Sequence, residues 1–293
     1  MQNEKRLLPI SVQSFEKLRE SNCIYVDKTA YVYRLVHDVA QFFLSRPRRF
    51  GKSLLLSTLK AYWEGKKELF SGLEIEKLEA DNNEAWQPYP VFYFDFNGEN
   101  YDITPVEDVI VKHLKRWEEI YGITDTSVTL GDRFQKVLIS ASEKTGKRCV
   151  VLIDEYDKPL LDLVDKSKLQ EHNKAVFKGF FSNLKNCDNY IRFVFITGVT
   201  KFHKVSIFSD LNQLKDISLN EEYSAICGIT DTELRANFAP EIAAMAQEMQ
   251  ISEEECLTKL KQQYDGYRYH HKGIGVYNPF SLINAFGDKE FGA

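Results

Sequence analysis

Apolar residues along this chain fall into two patterns, short unbroken runs and helical spacings, and the two alternate. Phe42-Phe43-Leu44 is followed by a basic loop and then by Leu54-Leu55-Leu56-Ser57-Thr58-Leu59-Lys60-Ala61-Tyr62-Trp63, a helix-compatible pattern. Residues 89–96 are aromatic and β-branched and stop at Asn97-Gly98, which predicts a second strand. Val109, Ile110, His113, Leu114 and Trp117 recur at helical spacing over 106–121, and a further helix over 134–144 ends at Thr145-Gly146. The run Cys149-Val150-Val151-Leu152-Ile153 has no polar face, as a parallel strand covered on both sides requires. A helix over 172–184 and a strand over 191–196 follow. Upstream, 14–19 reads as a short helix, and a second runs through Tyr31, Leu35 and Val36 with Asp27 as its N-cap. Residues 74–79 read as a polar, acidic connection. The alternation from Phe42 to Thr197 predicts an α/β sandwich with a mainly parallel sheet.

From about Ser218 the strand pattern fades. Helices are expected over 232–249, 253–264 and 282–285, with a loop-rich aromatic stretch over 264–280. The chain thus divides into a sheet-bearing domain with a helical lead-in, 1–217, and a small helical, lid-like subdomain, 218–293.

A length of 293 residues suffices for a substantial core, and 43% hydrophobic with 28% charged residues is ordinary for a globular chain. The formal net charge of −5 argues against a generally basic nucleic-acid coat and leaves room for a local basic patch. The five cysteines are odd in number and unpaired in spacing, which suits reduced structural thiols. With no apolar run of about 20 residues and no leader-like start, the expectation is a cytoplasmic protein without membrane contact.

Candidate chemistry starts at Ser45-Arg46-Pro47-Arg48-Arg49-Phe50-Gly51-Lys52-Ser53, between the first strand and its helix. Gly51, Lys52 and Ser53 meet the end of the phosphate-loop pattern G-x-x-x-x-G-K-[ST], while Arg46 stands where its first glycine belongs. Backbone N–H groups from Gly51 to Leu54 would face an anion at the helix start, Lys52 would reach β- and γ-phosphates, and Ser53 would ligate Mg²⁺. Arg46, Arg48, Arg49 and Phe50 complete the expected nucleotide-binding set. The same tripeptide also occurs as an ordinary helix start with a solvated lysine.

The apolar strand ending in Asp154-Glu155 supplies what such a loop needs opposite it, a metal carboxylate and a general base for water. Thr197, ending the next strand, is expected to act catalytically as a sensor between metal, water and γ-phosphate, or else simply to end the strand through its hydroxyl. Asn97 either gates Glu155 or serves the Asn-Gly turn. Lys201, His203 and Lys204 form a second basic cluster, a weak substitute for an arginine finger.

Together with Leu152-Ile153-Asp154-Glu155-Tyr156-Asp157 and Phe195-Ile196-Thr197-Gly198-Val199-Thr200-Lys201-Phe202, the R-P-R-R-x-G-K-S loop closely resembles the bacterial AAA-ATPase-like family. Tyr25-Val26-Asp27-Lys28-Thr29, Lys204-Val205-Ser206-Ile207-Phe208-Ser209, Tyr264-Asp265-Gly266-Tyr267 and Tyr277-Asn278-Pro279-Phe280-Ser281 extend the likeness over nearly the whole chain. The resemblance implies an ASCE-type P-loop NTPase sheet, with an extra strand between those of the loop and of Asp154. It also implies ATP and Mg²⁺ as ligands and Glu155 as the catalytic glutamate. Preference for ATP over GTP rests on it and on the lack of an N-K-x-D motif. Members commonly carry a following domain similar to PD-(D/E)XK nucleases, so a missing downstream domain is expected. The expected activity is ATP hydrolysis. The alternative is a nucleotide-dependent switch with little turnover, acting on that domain, on a protein or on nucleic acid, with a homo-oligomer as one route to a finger in trans.

Overall fold

The computed structural model describes residues 6–125, 128–200 and 214–292, so Lys201, His203 and Lys204 lie outside the described residues. Among them a sheet of five strands runs in the order β2 (Val91–Asp95), β3 (Cys149–Asp154), β4 (Ile191–Gly198), β1 (Gln41–Ser45) and β5 (Leu214–Asp216), with every pair parallel. This is the α/β sandwich the alternation predicts, with β4 inserted between β1 and β3.

Both faces of the sheet are covered, which is why β3 is apolar at every position before its last. Phe43, Val151, Ile153, Val194 and Ile196 pack with the helices Val106–Tyr121, Leu130–Thr145 and Ser167–Asn186 on one face. Phe42, Leu44, Val150, Leu152, Phe193 and Phe195 pack with Thr29–Val36 and Lys52–Trp63 on the other. Because successive strand residues point to opposite faces, a one-residue slip would exchange these two sets against unlike helices.

A third core, built on Leu234, Phe238, Met245, Cys256, Leu260, Leu282 and Phe286, holds the helices Asp231–Asn237, Ala239–Glu248, Glu253–Tyr264 and Pro279–Asp288. Ile24 from the lead-in is part of it. The helix expected over 232–249 is two helices meeting at Phe238, since Pro240 suits the first turn of the second and not the interior of one. The last helix starts at Pro279, earlier than its apolar spacing suggests, because the Asn278 side chain accepts from the Phe280 and Ser281 amides.

Two further expectations shift locally, and one strand has no counterpart among the readings above. Strand β5 is only three residues long, two of them charged, a sheet edge too short to show a period. The helix after Asp27 has Lys28 at its N-cap, while Asp27 Oδ1 still accepts from the Thr29 amide at 2.8 Å. The acidic connection contains the short helix Glu74–Leu78, and Glu79 beside it is buried, accepting from Tyr62 (2.6 Å) and Asn82 (2.6 Å) and meeting His37 (2.9 Å).

All five cysteines are free, and burial pushes the Cys149 thiol up to about 12 and that of Cys187 to about 11, as for structural thiols. Among the described residues no helix is long and apolar enough to cross a membrane.

Candidate functional site

The carboxyl ends of β1, β3 and β4 converge where ligands of parallel sheets bind. From β1 the chain turns through the basic loop into the helix Lys52–Trp63, and Gly51 caps that helix at φ 91°. This left-handed conformation suits glycine, and a Cβ added there would meet nothing within 4 Å. Gly51, Lys52, Ser53 and Leu54 line a cavity, so the start of the helix faces open space, the room an anion needs.

Lys52 is 3% exposed, and its Nζ donates to the Arg46 and Pro47 carbonyls, both at 3.1 Å. It also pairs with Glu155 Oε1 at 3.0 Å. Glu155 reaches it because the residue after β3 takes a left-handed φ of 52°, and Tyr156 N then donates to Thr197 O. A non-glycine residue held there is strained, and such strain persists only when the surroundings over-determine it.

Asp154 lies one layer deeper. Thr197 Oγ1 donates to its Oδ1 at 2.7 Å, Tyr93 donates to its Oδ2 at 3.1 Å, and the Ser53 hydroxyl lies close enough to favour its charged form. Burial raises the pKa of Asp154 above the usual carboxylate value against the effect of these hydroxyls. Burial, with the charge of Asp154 beside it, drives the Tyr93 phenol well above its own.

A cavity of about 600 Å³ opens beside this cluster. Arg48, Arg49, Phe50, Gly51, Lys52, Ser53, Leu54 and Glu155 all line it, so the structure brings together most of the residues expected from the sequence. The same cavity is also lined by apolar residues from the two ends of the chain, among them Ile10, Val12, Phe238, Phe280 and Ile283. Lys28 helps hold this apolar lining together: its buried Nζ donates to Ala225 O (2.8 Å) and to both Glu233 oxygens (2.6 and 2.7 Å). Those bonds tie the lead-in to the helix Asp231–Asn237.

Arg46 is elsewhere. It is 1% exposed, its Nη1 donates to Ser45 O (2.9 Å) and Ser218 O (2.8 Å), and its Nη2 donates to Tyr223 O (3.0 Å). Its guanidinium carbon lies 3.7 Å from the Tyr269 ring centroid. Four of its contacts thus serve the 218–269 segment and the strand end, so the expectation that it faces phosphate is corrected. A side chain in place of the first glycine is accommodated because it runs into the protein instead of across the loop mouth.

Thr197 is fully buried behind Asp154 and does not line the cavity, which corrects the sensor expectation to that of a side chain positioning Asp154 and accepting from Glu155 N (3.4 Å). Asn97 lines the cavity and its amide donates to Asp95 Oδ1 (2.8 Å) in a turn; a bond to Glu155 is absent from the described contacts. Lys158, not singled out from spacing, lines the cavity beside Glu155. Its only sequence cue is its position directly after Asp154-Glu155-Tyr156-Asp157. Asp157, fully buried, accepts from the Val199 and Thr200 amides and from the Thr200 hydroxyl, fixing the end of β4.

No group of three or more His, Cys, Asp or Glu residues that could hold a metal occurs among the described residues. The hard oxygen pair of Ser53 and Asp154 nonetheless suits Mg²⁺, which takes few protein ligands and completes its shell with phosphate and water.

Residues 9–208 match the model of a family described as predicted AAA-ATPase. A curated relative, named "Uncharacterized protein in vnfD 5'region" from Azotobacter chroococcum mcd 1, is 37% identical over 289 residues. That match covers 98% of this chain and 53% of the relative, so the chain spans about half the relative's length.

Proposed function

Because the chain belongs to the predicted AAA-ATPase family, in which nucleotide binding is the shared expectation, we propose that the cavity binds Mg·ATP and hydrolyses it to ADP and phosphate. The observation that carries the reading is the meeting of Lys52, Ser53 and Glu155 on the lining of one cavity, with Asp154 buried behind them beside Ser53. Lys52 and the amides from Gly51 to Leu54 hold the phosphates, and Arg48 and Arg49 add charge there. The apolar part of the lining takes the base. Mg²⁺ held by Ser53 and Asp154, in part through water, would supply charge neutralisation on the phosphates.

Glu155 orients the attacking water and accepts its proton. A phosphate that draws Lys52 out of its bond to Glu155 frees the carboxylate for this role, so binding and activation are linked through one ion pair. Residues 218–293 act as a lid-like unit over the base.

A second reading, a nucleotide-dependent switch with slow turnover, draws on a specific observation. The loop is joined to the C-terminal segments by Arg46, by Phe50 against Tyr267 and Tyr269, and by Arg49 over Phe280 at 4.1 Å. Movement of the loop would therefore be felt there.

Calorimetric titration with Mg·ATP and a non-hydrolysable analogue tests the reading, with Lys52→Ala as control and phosphate release measured in parallel. Binding abolished in a folded Lys52→Ala supports the site, and steady phosphate release separates hydrolysis from the switch. A folded wild-type chain that binds neither nucleotide overturns both readings.

A further inference from the structure

Lys158 stands one turn after Glu155, its amide donating to the Glu155 carbonyl at 3.0 Å, and its side chain lines the same cavity. Its Nζ donates to Asp162 Oδ2 at 2.5 Å. From the other side of the cavity wall Arg48 approaches the same carboxylate, with Nη2 3.9 Å from Oδ1. Among the described residues one carboxylate thus faces two cations, and one positive charge remains over. Elsewhere on this wall Lys52 and Glu155 neutralise each other. The Arg48 side chain is 63% exposed and its contact is long, so little energy holds it to Asp162. The Lys158 ammonium, at the end of a flexible stem, can likewise change partners.

We infer that Lys158 and Arg48 are catalytic cations for the terminal phosphate, supplied in cis and stored on Asp162 until a triphosphate enters. The inference rests on the ATPase reading. In that reaction a bond forms between the water oxygen and the γ-phosphorus while the bond to the bridging oxygen breaks. Its electron pair stays on the departing diphosphate, and the water proton passes to Glu155. Charge grows on the γ-phosphoryl and bridging oxygens, and cations aimed there lower the barrier. Since both come from this chain, turnover needs no neighbouring copy.

The test compares Lys158→Met, Arg48→Met and Lys158→Arg with the wild type in phosphate release, and in titrations with ADP and a non-hydrolysable ATP analogue. Lys158→Met and Arg48→Met are each expected to lower kcat by about 10–100-fold and to weaken the preference for the triphosphate analogue over ADP. For Lys158→Met affinity for ADP stays within about 3-fold, a split that loss of folding or of the whole site would not produce. Lys158→Arg is expected to recover most of kcat. Wild-type kcat per chain is expected to stay constant across a hundredfold dilution.

Variants with wild-type kcat and unchanged triphosphate preference would sink the inference while leaving the ATPase reading intact. So would a per-chain rate that falls steeply on dilution, which would mean a cation supplied by a neighbour. If the wild type binds nucleotide without turnover, the triphosphate preference alone decides. No nucleotide binding by the wild type removes the underlying reading and the inference with it.

Discussion

On one part of the cavity lining Lys52, Ser53 and Glu155 hang from the ends of two strands buried in the sheet, within a few residues of β1 and β3. Elsewhere on the cavity lining Ile10, Val12, Phe238, Phe280 and Ile283 come from opposite ends of the chain and meet through packing of the lead-in against the C-terminal helices. The charged part is positioned by short chain connections to a rigid scaffold. The apolar part depends on a long-range assembly held by Lys28 with Glu233, Arg46 with Ser218 and Tyr223, and Arg49 over Phe280. On the proposed function, the reacting end of a ligand would meet the groups with the shortest connections to the sheet, and its non-reacting part would meet the lining that depends on long-range packing.

If this division holds, Glu155→Gln gives the largest effect: kcat for ATP falls by about 10²–10⁴-fold, while nucleotide binding survives in calorimetry. Turnover equal to wild type would remove Glu155 from its role.

Next comes Arg46→Met, which addresses the joint between the two parts. The carbonyls of Ser45, Ser218 and Tyr223 lose a buried donor, and the expected cost of about 2–3 kcal/mol appears as an unfolding midpoint lowered by roughly 5–10 °C. An unchanged midpoint would show that the joint is not needed for stability.

The smallest effect is expected at the apolar part. Phe280→Ala removes the partner of Arg49 and part of the apolar wall, weakening ATP by about 5–10-fold, near 1 kcal/mol. Inorganic tripolyphosphate, which has no base, should bind this variant as it binds wild type; an equal loss for both would show that the two parts are not separable.

The burial of Asp154 adds a pH arm to the comparison. Its carboxylate titrates above the usual range in the folded chain, so the fold takes up a proton that the unfolded chain releases. Its contribution to stability is accordingly greatest below the usual carboxylate range and declines as pH rises through the raised value. Asp154→Asn is expected to narrow that decline in thermal melts of the nucleotide-free protein, and melts with an identical pH profile would mean another group is responsible.

How legible the site was depends on how local its parts are. Gly51, Lys52, Ser53, Asp154 and Glu155 were readable because strand, turn and helix start impose their spacing on neighbouring residues. Arg46 was misassigned although it belongs to the same loop: its partners Ser218, Tyr223 and Tyr269 are far along the chain, and nothing in the loop itself tells an arginine facing solvent from one facing carbonyls. Thr197 was found at the right strand end, yet its depth behind Asp154 depends on the register of β4 against β3. Lys158 was missed because a lysine after a charged turn is ordinary, and only the cavity shows where it faces.

Amphipathic periods and turn residues, which act over a few residues, were enough by themselves to determine the alternation of strands and helices, the parallel sheet class and the charged motifs at the strand ends. The order β2-β3-β4-β1-β5, the inward turn of Arg46, the sharing of Asp162 by Lys158 and Arg48, and the apolar lining of the cavity were decided only in three dimensions. Each depends on contacts between distant segments, where close packing and the need to partner buried polar groups select one arrangement from many that local preference allows.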